Sequence, residues 1–175
     1  MKTTLNKIRV HDPWIMDWSR LLDKLNKTEG DDEELSMLTI LDITHLLDIL
    51  LPLWCLRAVD GYDDEIRAFT LWCRQLAYPH ETFDSMVQYP FDVYTLVNDA
   101  MVHISTQAYR ESRENPNEAD MAVYKGLVNK GYDAFFLEGK SPWLKASNCA
   151  WGATRMDIKK ELKRVLEEIE LKEKT

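Results

Sequence analysis

The stretch LWCLRAVDGYDDEIRAFTLWCRQL, residues 53–76, carries the same Trp-Cys pair twice, on either side of an acidic turn. The first pair, Trp54 and Cys55, lies in an apolar run. The second pair, Trp72 and Cys73, continues an apolar stripe that recurs near the helical period. Large indoles beside small thiols suit the dense packing of two helices that share a core. The stretch therefore predicts a helical hairpin rather than a reactive thiol site.

Helical periodicity extends in both directions from this hairpin. A first helix is predicted to begin at Asp12-Pro13, with Asp12 as its cap. A second helix is predicted from about residue 32 to residue 59, kinked or divided by Pro52, and Asp63 or Asp64 is predicted to cap the third. The residues expected to face the core are Trp14, Trp18, Leu21, Leu22 and Leu25, then Leu35, Leu38, Leu41, His45, Leu46 and Ile49, then Ile66, Phe69, Trp72, Cys73 and Leu76, and finally Val93, Leu96, Val97, Ala100, Met101 and Ile104.

The C-terminal third is predicted to contain two more helices. A fifth helix is expected from Asn117 to about Phe136, followed by an irregular segment at about residues 138–153. A C-terminal helix is expected at about residues 154–172, with Thr154 in a Thr-x-x-Asp cap. The chain of 175 residues, 45% of them apolar, suits one domain, and strand alternation and Asn-Gly turns are rare. We predict an all-α, single-domain bundle of about five to seven helices over residues 1–175.

The formal net charge of -8 limits the classes of partner. An acidic chain repels a phosphate backbone, so direct binding of nucleic acid is not expected. A protein partner with a basic surface is favoured instead. The first fourteen residues lack the apolar run of a signal peptide, which predicts a cytoplasmic protein. The most apolar run, residues 43–59, is too short and too often interrupted by charge to predict a membrane span.

The residues that could perform chemistry form no complete signature. Three cysteines without a Cys-x-x-Cys pair predict free thiols, and no two of the four histidines have the spacing of a helical metal platform. The best metal group is Asp42, His45 and Asp48, but the two aspartates point to different faces of a helix. A small helical metalloenzyme that uses Asp42, His45 and a second histidine is the alternative prediction.

The acidic turn offers a candidate recognition surface. Tyrosine and arginine dominate binding hot spots, and a ring of carboxylates steers a basic partner. An ordinary solvated turn would also carry acids at the start of the following helix, because the helix dipole favours them there. Trp143 and Trp151, in the predicted irregular segment, pose the same alternative between core plugs and interface anchors. The candidate partner-binding residues are Asp60, Tyr62, Asp63, Asp64, Glu65, Arg67, Trp143 and Trp151.

Residues 51–76 also resemble a known family. A Leu-Pro-aromatic end of one helix, an acidic turn and an Arg-x-Ala ahead of an aromatic occur here in the order Leu51, Pro52, Leu53, Trp54, acids at 60–65, Arg67, Ala68 and Trp72. This order resembles the helical hairpin of immunity proteins of bacterial polymorphic toxin systems. The later helices of that family are alanine-rich, and those of this chain are not. The resemblance implies an all-helical protein that neutralises another protein by binding it, without catalytic residues or a cofactor.

The leading functional prediction is therefore a cytoplasmic, non-enzymatic protein of the immunity or inhibitor type, which occludes a protein partner directly. A close variant is a phage or mobile-element protein that blocks a nucleic-acid-binding defence complex by imitating the charge of nucleic acid. Apolar helix faces could also complete their burial in a homodimer, because subunit contacts use the same residue types as cores. The metalloenzyme differs in that it requires a bound metal.

Overall fold

The computed structural model describes residues 1–44, 48–86, 91–114 and 142–175. It confirms the all-α prediction, because these ranges contain eight α-helices and only one two-stranded sheet. The helices are α1 (Leu5–Val10), α2 (Ile15–Leu25), α3 (Met37–Ile43), α4 (Leu50–Cys55), α5 (Asp63–Gln75), α6 (Phe83–Met86), α7 (Val93–Glu114) and α8 (Pro142–Glu173), with a 3-10 turn at Leu56–Ala58 after α4. The predicted fifth helix lies outside the described residues.

The N-terminal region departs from the prediction. A short strand, β1 (Lys2–Thr3), pairs antiparallel with β2 (Leu35–Ser36), and α1 follows it at once. The side chain of Thr4 caps α1 by accepting a hydrogen bond from the backbone N–H of Lys7. The prediction that Asp12 caps the first long helix is wrong. Asp12 has a left-handed backbone, with φ at 53°, and α2 begins only after Trp14, which makes no side-chain cap bond.

The second helix, predicted from about residue 32, begins only at Met37, and the prediction that Pro52 kinks or divides it is wrong because the break lies upstream of the proline. Helix α3 ends at Ile43, and α4 begins at Leu50. Pro52 is the third residue of α4, where the missing N–H would have had no partner within the helix. The proline therefore fits inside the first turn of α4. Residues 45–47, which include the predicted core residues His45 and Leu46, lie outside the described residues.

The C-terminal helix is longer than predicted. It begins at Pro142, so the irregular segment expected at about 138–153 is wrong from residue 142 onward. Proline suits the first turn because its fixed φ is already helical. Thr154 is not a cap, since its hydroxyl donates to the carbonyl of Ala150 from within the helix, at 2.8 Å. The buried Gly152 occurs inside this helix rather than ending it.

Helices α7 and α8 pack along each other, and α4 and α5 pack against α7. The stripes predicted for α5 and α7 face this core with two exceptions. Leu76, just beyond the end of α5, is 42% exposed, and Ile104 is half-buried outside the core cluster. Cys55 and Cys73 belong to the same buried cluster. Fully buried residues come from seven of the eight described helices, for example Leu5, Ile8, Leu21, Ile40, Leu41, Leu53, Cys73, Val97, Met101 and Ile158.

A buried arginine joins α5 to α7. The Arg74 guanidinium donates to both carboxylate oxygens of Glu81, to the Asp99 carboxylate at 3.0 Å and to the Leu96 carbonyl at 3.3 Å. Arg74 and Glu81 are 7% and 10% exposed, so this ion pair is largely shielded from water. Such a pair fixes one arrangement of the elements around it, because either charge alone would be costly to bury.

Candidate functional site

The acidic turn joins the 3-10 turn to α5. Gly61 has a φ of 83°, which an L side chain rarely adopts, and the chain then enters α5 through Tyr62. The prediction that Asp63 or Asp64 caps α5 is wrong. Tyr62 holds the cap position without a side-chain cap bond, and both aspartates lie within the first helical turn. There they interact favourably with the positive end of the helix dipole.

The first acid of the turn is paired within the chain. The Lys7 ammonium of α1 lies 2.7 Å from the Asp60 carboxylate, and both side chains are exposed. This hydrogen bond lowers the pKa of Asp60. A partner that used Asp60 would therefore have to compete with Lys7.

Tyr62 ties the turn to the C-terminal helix. Its hydroxyl donates a hydrogen bond to the Glu173 carboxylate, near the end of α8, and this bond raises the pKa of Tyr62. The same carboxylate lies 2.9 Å from the amino nitrogen of Met1. Tyr62 is half-buried, so its ring supports the turn rather than standing out from it.

Three acids are left to face solvent. Asp63 and Asp64 are exposed and Glu65 is half-buried. Within the described residues, no hydrogen bond or ion pair involves the side chain of any of the three. These carboxylates are the part of the predicted surface that is available to a basic partner.

Arg67 has an intramolecular role that the sequence prediction did not include. Its guanidinium carbon lies 4.2 Å from the centroid of the Phe91 ring, ahead of α7. A cation over an aromatic face at this distance is an attractive contact. Arg67 is half-buried there, which makes it part of the support of α5.

A groove of about 370 Å³ opens beside the turn. Its polar lining comes from His11, Arg57, Asp63 and Asp92, and Phe91 adds an aromatic wall. Arg57 and Asp92 are joined by two parallel hydrogen bonds, one of them 2.7 Å long. The Arg57 guanidinium also lies over the Trp54 ring, with its carbon 4.0 Å from the ring centroid. Arg57 and Asp92 are thus fixed by their contacts within the chain, whereas Asp63 in the same groove has no such partner among the described residues.

The sequence prediction missed an exposed apolar patch, which consists of Val10, Trp14, Ile15 and Met16. These side chains are 82%, 65%, 74% and 50% exposed. The prediction that Trp14 faces the core is wrong, because Asp12 has a left-handed backbone and α2 begins only after Trp14. His11, which lines the groove together with Asp63, lies within the same segment. His11 therefore connects the segment that carries the patch to the groove beside the acidic turn.

The two tryptophans predicted as plugs or anchors lie on α8. Trp151 is half-buried, packs against the core cluster and has the Arg155 guanidinium 4.9 Å from its ring centroid. These contacts favour a role for Trp151 as a core plug rather than an interface anchor. Trp143 lies in the first turn of α8, and its side chain falls outside the described residues.

The two Trp-Cys pairs have the structural role that their sequence predicts. Cys55 and Cys73 are free and buried, and burial raises the pKa of both thiols. Because the thiolate is the reactive form, these cysteines are protected from common electrophiles. Trp54 and Trp72 are half-buried beside them, and Trp54 meets Tyr94 of α7 edge-on at 5.0 Å.

The residues of the metalloenzyme alternative are dispersed where the structure describes them. Asp42 is exposed and lies 3.0 Å from the Lys163 ammonium, and Asp48 lies 3.9 Å from Arg20. His80 is exposed, and the His103 ring packs 4.6 Å from that of Tyr78. His45 falls outside the described residues. Among those that are described, no three His, Cys, Asp or Glu residues are grouped so that they could hold a metal ion.

Across the described ranges, no helix combines the length and the apolar character that a membrane span requires. Comparison of the chain with protein-family models, with curated proteins and with solved structures returned no match. The likeness of residues 51–76 to immunity proteins therefore stays a prediction.

Proposed function

We propose that this chain is a non-enzymatic, protein-binding protein of the immunity or inhibitor type, which neutralises a partner with a basic surface by direct occlusion. The observation that carries the proposal is the contrast within the acidic turn. Asp60 is paired with Lys7, whereas Asp63 and Asp64, one turn further on, are exposed with no ion pair among the described residues. Exposed carboxylates of this kind steer and orient a cationic partner.

The apolar patch supplies the apolar contact area that the carboxylates lack. Charges at the rim of an interface set its approach and register, while buried aromatic anchors contribute most of its affinity. Trp14 and Ile15 are large, exposed and adjacent in sequence, so they can contribute that anchor. The proposed interface therefore combines Asp63 and Asp64 with Trp14 and Ile15. The groove lined by His11 and Asp63 would lie within it.

Three contacts order the residues around the acidic turn before a partner arrives. Lys7 fixes Asp60, Glu173 fixes Tyr62, and Asp92 fixes Arg57. A surface that is already ordered pays a smaller entropic cost on association. Occlusion by a rigid surface also requires no reacting group.

The proposed compartment is the cytoplasm. The buried thiols of Cys55 and Cys73 are free, as is usual for proteins of a reducing compartment.

The decisive experiment reverses the two unpaired charges. Asp63→Lys combined with Asp64→Lys should abolish partner binding while the circular dichroism spectrum stays unchanged. If the basic surface of the partner normally holds nucleic acid, added DNA or RNA should compete with the wild-type chain for it.

A further inference from the structure

A cavity of about 470 Å³ lies where α2, the end of α3, the start of α4 and the middle of α8 meet. Its floor is apolar, formed by Leu21, Ile43 and Leu51, and both Leu21 and Leu51 are buried. This volume is within the range of small-molecule pockets, which are typically apolar with a few polar groups that fix the orientation of the ligand. None of its lining residues belongs to the acidic turn or to the apolar patch.

The rim of this cavity is basic, although the chain as a whole has a net charge of -8. Arg20 and Lys24 of α2 and Arg155 of α8 line it. Lys159, one turn after Arg155, donates a hydrogen bond of 2.7 Å to the carbonyl of Thr44, which also lines the cavity. A local excess of positive charge on an acidic protein attracts anions to one place on its surface.

The carboxylates near this rim are fewer and only loosely paired. Arg20 lies 3.8 Å from Asp17 and 3.9 Å from Asp48, distances too long for hydrogen bonds. Burial, and then the charge of Asp48, raise the pKa of Asp17. Three cationic side chains, those of Arg20, Lys24 and Arg155, thus line the cavity with one carboxylate, that of Asp48. The donors of Arg20 remain able to turn toward a ligand.

We propose that this cavity binds a small organic anion, in which a carboxylate, sulfonate or phosphate group is attached to an apolar body. The body would lie on Leu21, Ile43 and Leu51. Arg20 and Lys24 are four residues apart and so project from the same side of α2 toward the anionic group. A guanidinium offers two parallel donors to such a group, and an ammonium adds a point charge.

The test uses a matched pair of fluorescent probes. The anion 8-anilinonaphthalene-1-sulfonate and the neutral N-phenyl-1-naphthylamine share an aromatic body and differ in the sulfonate. The native chain should bind the anion at one site, at least about tenfold more tightly than the neutral probe, and with an affinity that falls as salt is added. Equal affinity for the two probes would overturn the proposal, because it would indicate apolar adsorption alone.

Variants then locate the site. R20Q combined with K24Q should weaken binding of the anion by roughly tenfold, while R9Q combined with K172Q, which removes two exposed charges elsewhere, should leave it unchanged. D48N should strengthen binding of the anion by roughly threefold, because it removes a repelling charge. Partial unfolding cannot imitate this gain, since it would raise the signal of the neutral probe as well. An unchanged affinity in both R20Q/K24Q and D48N would overturn the proposal.

Discussion

The Lys7 ammonium lies 2.7 Å from the Asp60 carboxylate, so α1 pairs with the first acid of the turn that precedes α5. The next two acids, Asp63 and Asp64, have no such partner among the described residues. One short segment therefore contains both a structural carboxylate and carboxylates that are available to another molecule. Substitutions at these positions should separate the two roles.

The first prediction concerns partner binding. Asp63→Lys combined with Asp64→Lys should lower the affinity for the partner at least about a hundredfold, since it replaces two attractive charges by two repulsive ones. Titration calorimetry with the purified partner measures the change. Glu29→Lys combined with Asp84→Lys is the matched control, because both residues are exposed and Asp84, like Asp63, lies in the first turn of a helix. A control that loses as much affinity as the test variant would show that only net charge matters.

The second prediction separates two neighbouring tryptophans. Trp14→Ala should change the free energy of unfolding by no more than about 0.5 kcal/mol, because the side chain is already 65% exposed. Trp18→Ala should cost about 1 to 3 kcal/mol, because Trp18 packs against the core. Urea denaturation measures both values.

Trp14→Ala should nevertheless weaken partner binding. Light scattering of the free protein shows whether the exposed patch is instead buried in a homodimer.

The third prediction tests the buried ion pair. Arg74→Ala should destabilise the protein by about 3 to 5 kcal/mol, because it leaves the Glu81 carboxylate buried and unpaired. Arg164→Ala removes the pairs with Glu161 and Glu168 on the surface of α8 and should have a much smaller effect. Equal costs for the two variants in urea denaturation would mean that burial does not strengthen the Arg74 contacts.

Much of this architecture follows from patterns that are local in sequence. The stripes of α5 and α7 are long and regular, so the helices and most of their buried residues could be predicted. The burial of Arg74 could not be predicted, because a charged residue in an amphipathic helix normally faces solvent. Only the structure shows that Glu81 and Asp99 pair with it. Pairings between distant segments, such as β1 with β2, have no local signal in strands of two residues.

Only the parts of the candidate site that are contiguous in sequence could be predicted. The acidic turn is contiguous, so its position between two helices could be predicted from the residues alone. The outward direction of Trp14 depends on the backbone of Asp12, whose φ of 53° is not encoded by the apolar period. The basic cavity combines four separate elements, and its cations are scattered along the sequence among more numerous acids.

The fourth prediction is a pH dependence centred on Asp92. Burial raises the pKa of this carboxyl, but the hydrogen bonds from Arg57 and Thr95 outweigh burial and lower it overall. A carboxyl with a lowered pKa stabilises the fold above its unfolded pKa and loses that contribution as the pH falls through the folded value. Asp92→Asn should therefore destabilise the protein most at pH 7. The difference from the wild type should shrink below about pH 4. Urea denaturation at several pH values checks this, and a constant difference would argue against the ionic contact.

The fifth prediction concerns the thiols. Iodoacetamide at pH 8 should leave Cys55 and Cys73 unmodified in the folded protein, since both are buried and their pKa values are raised. Both should react fully after denaturation. Peptide mass spectrometry gives the extent at each site. Rapid labelling of either thiol in the folded protein would contradict their place in the core.

The most direct measurement is quantitative mass spectrometry of the proteins that co-purify, at moderate salt, with three tagged forms of the chain expressed in its own host. The forms are the wild type, Asp63→Lys with Asp64→Lys, and the control Glu29→Lys with Asp84→Lys. The account predicts a stoichiometric partner with a basic surface that is recovered with the wild type and the control and lost with the test variant. Equal recovery with all three forms, or a chain that purifies without a protein but with one equivalent of zinc, iron or manganese, would contradict it.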